Sequence, residues 1–410
     1  MGTEHELIAV RADGSAPPYE GPGGIRALLD WFAGRGWEPV LEDGHPIALT
    51  RGDSQITIEP GGQFELAAPP FRSDLELVTQ LREHSQDLAR AGQELGLSWL
   101  SSGLRPFGGR DDIGWMPKQR YNVMRAYMPT VGTRGLDMML RTATVQTNLD
   151  FADEPDAAAK MRVLQSVSSI LTALWANSSI VEGQVTEFQS ARAWIWRDTD
   201  SARSGLLPFV FTRDSLFADY TEWALDVPMY FVHRGGYLPV TGLTFRQFMQ
   251  AGWNGHRATR SDWALHLSTL FPEVRLKKYL EVRGADCGSM AMNAALAPLT
   301  RAISYDATAR DAAWALTAKA TFAERVQLAD EVPRSGLSAT LRGTPLLSLA
   351  RELVAIAQDG LARLEPAAVS LLDPVAEIAA TGYTQADRAG AAWRKAVTTT
   401  DKIAALTQPF

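Results

Sequence analysis

Polar side chains recur at even spacing along several strand-like runs of this 410-residue chain, and that parity constrains its fold more than any other feature. In a strand, residues i and i+2 point to one face. Glu4 and Glu6 therefore project together from a strand expected over residues 4–10. Gln63 and Glu65 flank Phe64 in the same way, with Glu59 just ahead of the break at Pro60-Gly61-Gly62. Gln146, Asn148 and Asp150 share one face of a run over residues 141–151. Glu281 and Arg283 share one face of a run over residues 274–283. For any single pair, the solvent face of an amphipathic strand is the simpler explanation. Four such runs, with Trp, Gly and Arg clustered beside them, point instead to one polar cleft lined by strands. Facing carboxylates repel one another unless cations lie between them. Hard ions with oxygen ligands, Mg²⁺ or Mn²⁺, suit that arrangement, and Mg²⁺ commonly brings substrate phosphates with it.

Helical periodicity accounts for much of the rest. Ile25, Leu28, Leu29 and Phe32 fall at helical spacing within residues 24–32. Ser73 followed by Glu76 reads as a capping box that opens a helix to about residue 95. A helix is expected over 153–175 and a strand over 227–232. Beyond about residue 288 Ala and Leu dominate, and long helices are expected over 310–328, 346–364 and 385–406. The expected fold is α+β. A mixed core over 1–286 carries the cleft, and a largely helical region over 287–410 packs on it. No linker-like stretch divides them, so one structural domain is expected overall.

Several function classes are excluded or disfavoured. With 40 Lys+Arg against 47 Asp+Glu, the net charge of −7 argues against a general nucleic-acid binder. No apolar run reaches the about 18 residues a membrane helix needs. The opening Met1-Gly2-Thr3-Glu4-His5-Glu6 is not a signal peptide, so a cytoplasmic location is expected. Cys287 is the single cysteine, which excludes an internal disulfide framework and a CxxC site; packing is its expected role. The phosphate-cradling GxxxxGK[ST] and the esterase elbow GxSxG are both absent. Gly21-Pro22-Gly23-Gly24 reads as a turn before a helix, and His5-Glu6 lacks the second His of HExxH because residue 9 is Ala.

At these residues the chain resembles the plant-type glutamate–cysteine ligases of plants and many bacteria. The likeness runs through Gly2-Thr3-Glu4-His5-Glu6, Glu59-Pro60-Gly61-Gly62-Gln63-Phe64-Glu65-Leu66 and Met116-Pro117-Lys118-Gln119-Arg120-Tyr121. It continues through Met124 to Pro129, Thr144 to Phe151, Ala176-Asn177-Ser178, Arg192-Ala193-Trp194-Ile195-Trp196 and Asp198-Thr199-Asp200. Asp226 to Phe231, Thr244 to Phe248, His266 to Arg275 and Tyr279 to Asp286 complete it, in unbroken order.

That resemblance implies a curved, mainly antiparallel sheet forming a funnel, with helices outside, as in the catalytic fold of glutamine synthetase. It implies ATP-dependent joining of L-glutamate to L-cysteine through a γ-glutamyl phosphate, in glutathione or ergothioneine synthesis. Glu4, Glu6, Glu59, Glu65 and Glu281 would hold the divalent ions, with Gln146 joining them and Asn148 near the nucleotide or a metal. Arg283 would neutralise the transferring phosphoryl group, and Arg192 would take a phosphate or the glutamate α-carboxylate. Arg120, Tyr121, Tyr127 and Trp196 would line the amino-acid pockets, with core packing the alternative for Tyr127 and Trp196. Partners would be these small molecules alone, with no nucleic acid or membrane, and the chain a monomer or homodimer.

The chain departs from the family pattern in three places. Cys287-Gly288-Ser289-Met290-Ala291-Met292 follows Asp286 where relatives carry Gly-Gly-Pro-Trp and an Arg-rich turn, so a changed acceptor pocket is expected. The alternatives are then a γ-glutamyl ligase for another amine, or a silent paralogue that binds glutamate or nucleotide. The opening motif lies at the extreme N-terminus, where relatives carry further residues, so a truncated or misassigned start is expected. With Cys287 alone, the disulfide switch of plant members should be absent.

Overall fold

The computed structural model describes residues 1–407, and one antiparallel sheet organises them. Its strands are β1 (Gly2–Val10), β2 (Glu38–Glu42), β3 (His45–Arg51), β4 (Ser54–Ile58), β5 (Phe64–Ala67), β6 (Ser98–Leu100), β7 (Thr144–Leu149), β8 (Val274–Leu276) and β9 (Leu280–Asp286). The order is β8-β9-β7-β1-β5-β4-β3-β2, and β6 pairs with β1 off this path. β1 is the hub. Its residues 2–5 pair with β7, residues 4–7 with β5, and residues 8–10 leave both to pair with β6. This change of partners, with a register shift between Val282 and Ala285 on β9, curves the sheet.

Parity divides the two faces of β1 as expected. Thr3, His5 and Leu7 are buried, whereas Glu4 and Glu6 line the concave side. Helices pack over the other side and around the rim of the concave one. They are α1 (Ile25–Ala33), α2 (Asp74–Leu95), α3 (Gln119–Tyr127), α4 (Gly135–Arg141), α5 (Glu154–Leu174), α6 (Ala191–Trp196), α7 (Leu216–Asp226), α8 (Phe245–Ala251), α9 (Arg260–Leu267), α10 (Met290–Tyr305), α11 (Ala307–Thr317), α12 (Phe322–Ser335), α13 (Leu346–Leu364), α14 (Asp373–Thr381), α15 (Gln385–Lys395) and α16 (Thr399–Leu406). α5 lies against β9, α10 against β7, and α13 against α10 and α11. α5 starts where Asp153 accepts from the Asp156 N–H at 2.9 Å, with Pro155 in its first turn. It is buried along almost its whole length because it runs beneath the sheet. Most buried apolar residues from Met1 to Leu406 form one core, with smaller clusters around Phe245 and Phe248 and around Leu104, Ala191 and Ile195.

The fold is thus α+β with the curved antiparallel sheet that was expected, but several boundaries differ. Residues 274–283 form a hairpin, not one strand, which sets Arg275 directly opposite Glu281. Of residues 227–232 only the end is extended: Phe231–His233 pairs with Tyr237–Pro239 outside the main sheet, downstream of Pro228. The run over 310–328 is two helices, because Thr321 and Glu324 close a capping box that starts α12. Thr398 and Asp401 likewise divide 385–406 into α15 and α16. Ser73 caps α2, but its hydroxyl donates to Glu365. α10 was not anticipated as an element.

The turn between β4 and β5 depends on glycine. A Cβ at Gly61 would stand 2.1 Å from the Leu140 carbonyl oxygen, and Gly62 has φ +81°. Gln63 accepts from the Gly61 N–H at 2.9 Å and donates to the carbonyls of Met139 (3.2 Å) and Thr142 (2.8 Å). The turn is therefore clamped onto α4 and the lead-in to β7, with Glu59 and Glu65 on either side. Gly61→Ala must displace backbone on both segments. Its urea midpoint should fall by the equivalent of about 2–3 kcal/mol; an unchanged midpoint would contradict the close approach.

Candidate active site

A funnel of about 400 Å³ opens from the concave face of the sheet. β1 contributes Glu4 and Glu6, the β4–β5 turn Glu59 and Gln63, β5 Glu65, and β7 Thr144 and Gln146. The hairpin of β8 and β9 adds Arg275, Lys277 and Arg283. Lys118, Arg120 and Tyr121 at the start of α3, and Arg192 and Trp196 on α6, make further wall.

Register packs charge against charge here. Glu6 lies directly opposite Glu65, and Glu4 opposite Gln146. Burial pushes the Glu4 carboxyl up to about 7, and Glu281 and Glu65 add to the effect. Glu6 is raised well above the ordinary carboxylate range by burial, then by Glu65 and Glu59. Glu65 is raised by burial and by Glu59. Burial also raises Glu59, against the pull of Lys118 and Arg120. Each anchor holds one oxygen. Glu4 accepts from Asn148 Nδ2 at 3.0 Å, Glu6 from the Thr144 N–H at 2.9 Å, and Glu65 from Thr57 Oγ1 at 2.6 Å.

Glu281 is the same residue type with the opposite fate. It is fully buried, yet Arg275, Arg283 and Lys277 outweigh that burial and hold its carboxyl well below the usual range. Its Oε1 accepts from Arg275 and Lys277 at 2.7 Å each, and its Oε2 from Arg283 at 2.6 Å. Arg283 also donates to Gln146 Oε1 at 2.9 Å. The guanidinium is thus aimed by two acceptors before any substrate arrives.

Among the described residues, no three His, Cys, Asp or Glu side chains are gathered closely enough to cage a metal ion unaided. The donors still fit Mg²⁺, which binds through one or two carboxylates and completes its shell with substrate phosphates and water. Four buried polar atoms of expected substrate residues have no partner among the described residues: Asn148 Oδ1, Arg120 Nε, Arg192 Nε and Trp196 Nε1. Buried polar atoms are normally satisfied, so these four are free to meet a ligand or water.

The structure brings together most of the residues expected from sequence. Glu4, Glu6, Glu59, Glu65, Gln146, Arg120, Tyr121, Arg192, Trp196 and Arg283 all line the funnel. Asn148 reaches it through Glu4, and Glu281 stands behind Arg283. Tyr127 is not part of the wall. Its ring packs 4.9 Å from that of Tyr230 and 5.9 Å from the Arg203 guanidinium, which is the core-packing alternative. Residues 287–292 do not line the funnel either. Cys287 is fully buried, burial pushes its thiol up to about 12, and Ser289 caps α10. Lys118, Arg275 and Lys277 were missed. Lys118 sits inside a motif that had been singled out, and reading 274–283 as a hairpin would have exposed the other two.

A polar funnel on an antiparallel sheet, lined by buried carboxylates beside guanidiniums held by acceptors, suits an ATP-dependent carboxylate–amine ligase. The chain belongs to the glutamate–cysteine ligase family 2, whose model matches residues 1–403. Chloroplastic glutamate–cysteine ligases of Brassica juncea and Arabidopsis thaliana are each 42% identical to it, over 393 and 394 residues. These matches cover 94% and 95% of this chain and 76% and 75% of those proteins. The Nicotiana tabacum enzyme is 41% identical over 394 residues, covering 95% of this chain and 75% of that protein. Among solved structures, the Francisella tularensis glutamate–cysteine ligase in complex with AMP superposes with a TM-score of 0.58 at 13% identity, covering 99% of this chain and 86% of that one. A bifunctional glutathione synthetase from Pasteurella multocida gives 0.52 at 14% identity, over 99% of this chain and 50% of that one. These two matches establish the shared fold. The relatives also overturn the expected cytoplasmic location, because the three named above are chloroplastic proteins.

The raised carboxyls have a measurable consequence. A carboxyl raised in the folded state stabilises it below the unfolded value, and that contribution is lost as pH rises through the folded value. His5, with its folded value near 4 against 6.5, has the opposite slope, which is spent by about pH 6.5. Between about pH 6.5 and 7.5, where the histidines no longer contribute, the metal-free protein should therefore lose thermal stability as Glu4, with its value near 7, ionises, less what the buried Met1 amine returns as it loses its proton. Added Mg²⁺ should flatten that fall, and Glu6→Gln should reduce it without metal. A flat metal-free profile across that window would contradict the arrangement.

Proposed function

We propose that this funnel forms γ-glutamylcysteine in two steps. A γ-carboxylate oxygen of glutamate attacks the γ-phosphorus of ATP, the bond to the bridging oxygen breaks, and ADP leaves. The amine of cysteine then attacks the carbonyl of the γ-glutamyl phosphate, inorganic phosphate departs with the C–O electron pair, and the amine loses a proton. The observation that carries this reading is the set of buried, mutually repelling carboxylates in one cavity with Arg283 and Arg192.

Glu4, Glu6, Glu59 and Glu65 would hold Mg²⁺ or Mn²⁺, with Gln146 beside them. The ion supplies neutralisation of phosphate charge when bound. Glu281 acts by holding Arg283, whose guanidinium faces the transferring phosphoryl group, where preset charge is most effective. Arg192 receives a phosphate or the α-carboxylate of glutamate, and Asn148 orients the nucleotide or a metal. Arg120, Tyr121 and Trp196 wall the amino-acid pockets, and Tyr127 supports that wall from the core. Residues 1–286 supply these groups, and residues 287–410 brace the sheet from behind as part of one domain. The product feeds glutathione or ergothioneine synthesis, and the working unit is a monomer or homodimer.

The test is ADP release from ATP, Mg²⁺ and L-glutamate, with and without L-cysteine, and with the product weighed by mass spectrometry. Cysteine-dependent release with a γ-glutamylcysteine mass is expected. Arg283→Met should lower kcat about 10²–10³-fold with much less effect on the KM for cysteine. Glutamate-dependent release that cysteine does not increase would assign a different amine. No release from folded protein would remove the ligase reading.

A further inference from the structure

We propose that Arg192 takes the glutamate α-carboxylate and not a phosphate, and that Asp286 is its positioning residue, which fixes the Arg192 guanidinium and, through it, the strand carrying Arg283. This rests on the reading above that both arginines serve the reacting groups. Asp286 ends β9, is 1% exposed and does not line the funnel.

Its carboxylate ties two separate segments, 177–178 and 190–192, to β9. Oδ2 accepts from the Asn177 N–H at 2.9 Å and from Ser178 Oγ at 2.6 Å. Oδ1 accepts from Ser190 Oγ at 2.9 Å and lies 3.8 Å from Arg192 Nη1. The two serines pass the constraint on. Ser178 Oγ accepts from the Arg192 N–H at 3.1 Å, and Ser190 Oγ from the Ala193 N–H at 3.0 Å. Asp286 therefore holds the main chain of α6 through hydroxyls and the charged end of Arg192 directly. Arg192 in turn donates from Nη2 to the Arg283 carbonyl at 2.8 Å. That bond ties α6 to the strand that aims Arg283.

Arg192 is 3% exposed, and Asp286 is the carboxylate within ion-pairing distance of it among the described residues. A buried guanidinium without a counter-charge is costly and does not stay in place. The motif Ala176-Asn177-Ser178, which has no contact with the funnel, is explained by this role: its backbone N–H and its hydroxyl are the cradle of Asp286. Gly103 completes the fit. A Cβ there would stand 2.5 Å from Asp286 Cγ, so only glycine leaves room for the carboxylate.

A merely structural Asp286 would lower stability and leave substrate affinity alone. Kinetics for glutamate, ATP and cysteine, with melting curves, should therefore be compared for wild type, Asp286→Asn and Gly103→Ala. The first removes the charge, and the second displaces it while leaving it in place chemically. Asp306→Asn, which removes a carboxylate that caps α11 and pairs with Arg363, is the structural control. Asp286→Asn and Gly103→Ala should each raise the KM for glutamate about tenfold or more, with the KM for ATP within about twofold of wild type. Asp306→Asn should lower Tm with neither KM changed. If either site variant does not fold, Ser190→Ala, which removes one bond to the carboxylate, should show a smaller shift of the same kind. Folded variants with wild-type KM for glutamate would overturn the proposal. Absence of turnover in wild type would instead overturn the ligase reading, which separates the two failures.

Discussion

Repulsion among buried carboxylates on neighbouring strands governs this structure. β1 cannot choose its register freely, because a slip of one residue would turn Glu4 and Glu6 into the helix layer and His5 into the funnel. Antiparallel pairing with β5 and β7 then sets Glu6 against Glu65 and brings Glu4 beside Gln146. Such an arrangement is unfavourable in the empty protein, and the folded chain carries it because a large continuous core supports the sheet from behind. Functional clusters commonly break the rules that local stability would impose.

Glu281 and Glu4 show how neighbours decide the role of one residue type. Both are deeply buried, and burial alone would keep both protonated. Glu281 has three cations around it and stays ionised, so it serves as a fixed anchor for Arg283. Glu4 has a single amide donor and two carboxylates nearby, so it titrates near neutral pH and is open to a cation. Asp286, on the far side of Arg192, differs from Glu281: burial raises its carboxyl against the pull of Arg192 and of Ser178, Asn177 and Ser190, which donate to it. Two buried carboxyl groups thus back Arg283 and Arg192 from outside the funnel, and preorganised charge is the main contribution a protein makes to phosphoryl transfer.

Much of this was legible in the sequence, for physical reasons. Strand parity is a short-range property, so Glu4 and Glu6, Gln63 and Glu65, and Glu281 and Arg283 could be assigned to faces without knowing the topology. The extended motifs then supplied the family and the curved sheet. What was not legible depends on the third dimension. Tyr127 falls in a matching motif, but its helix turns it toward Tyr230 and Arg203. Lys277 and Arg275 entered the site only because residues 274–283 fold back as a hairpin. The segment after Asp286 lies close in sequence to Arg283, yet it passes behind the sheet to cap α10 and does not line the funnel. Breaks in the C-terminal helices were written in Thr-x-x-Glu and Thr-x-x-Asp capping boxes, a signal weaker than the Ala and Leu periodicity around them.

The central claim is that the funnel carboxylates hold protons which a nucleotide-bound divalent ion displaces. Calorimetric titration of Mg²⁺ with ADP at about pH 7, repeated in buffers of different ionisation enthalpy, counts those protons directly. The account predicts net proton release on binding, reduced in Glu4→Gln and in Glu6→Gln. Binding with no proton release in the wild type, or release unchanged in both variants, would contradict it.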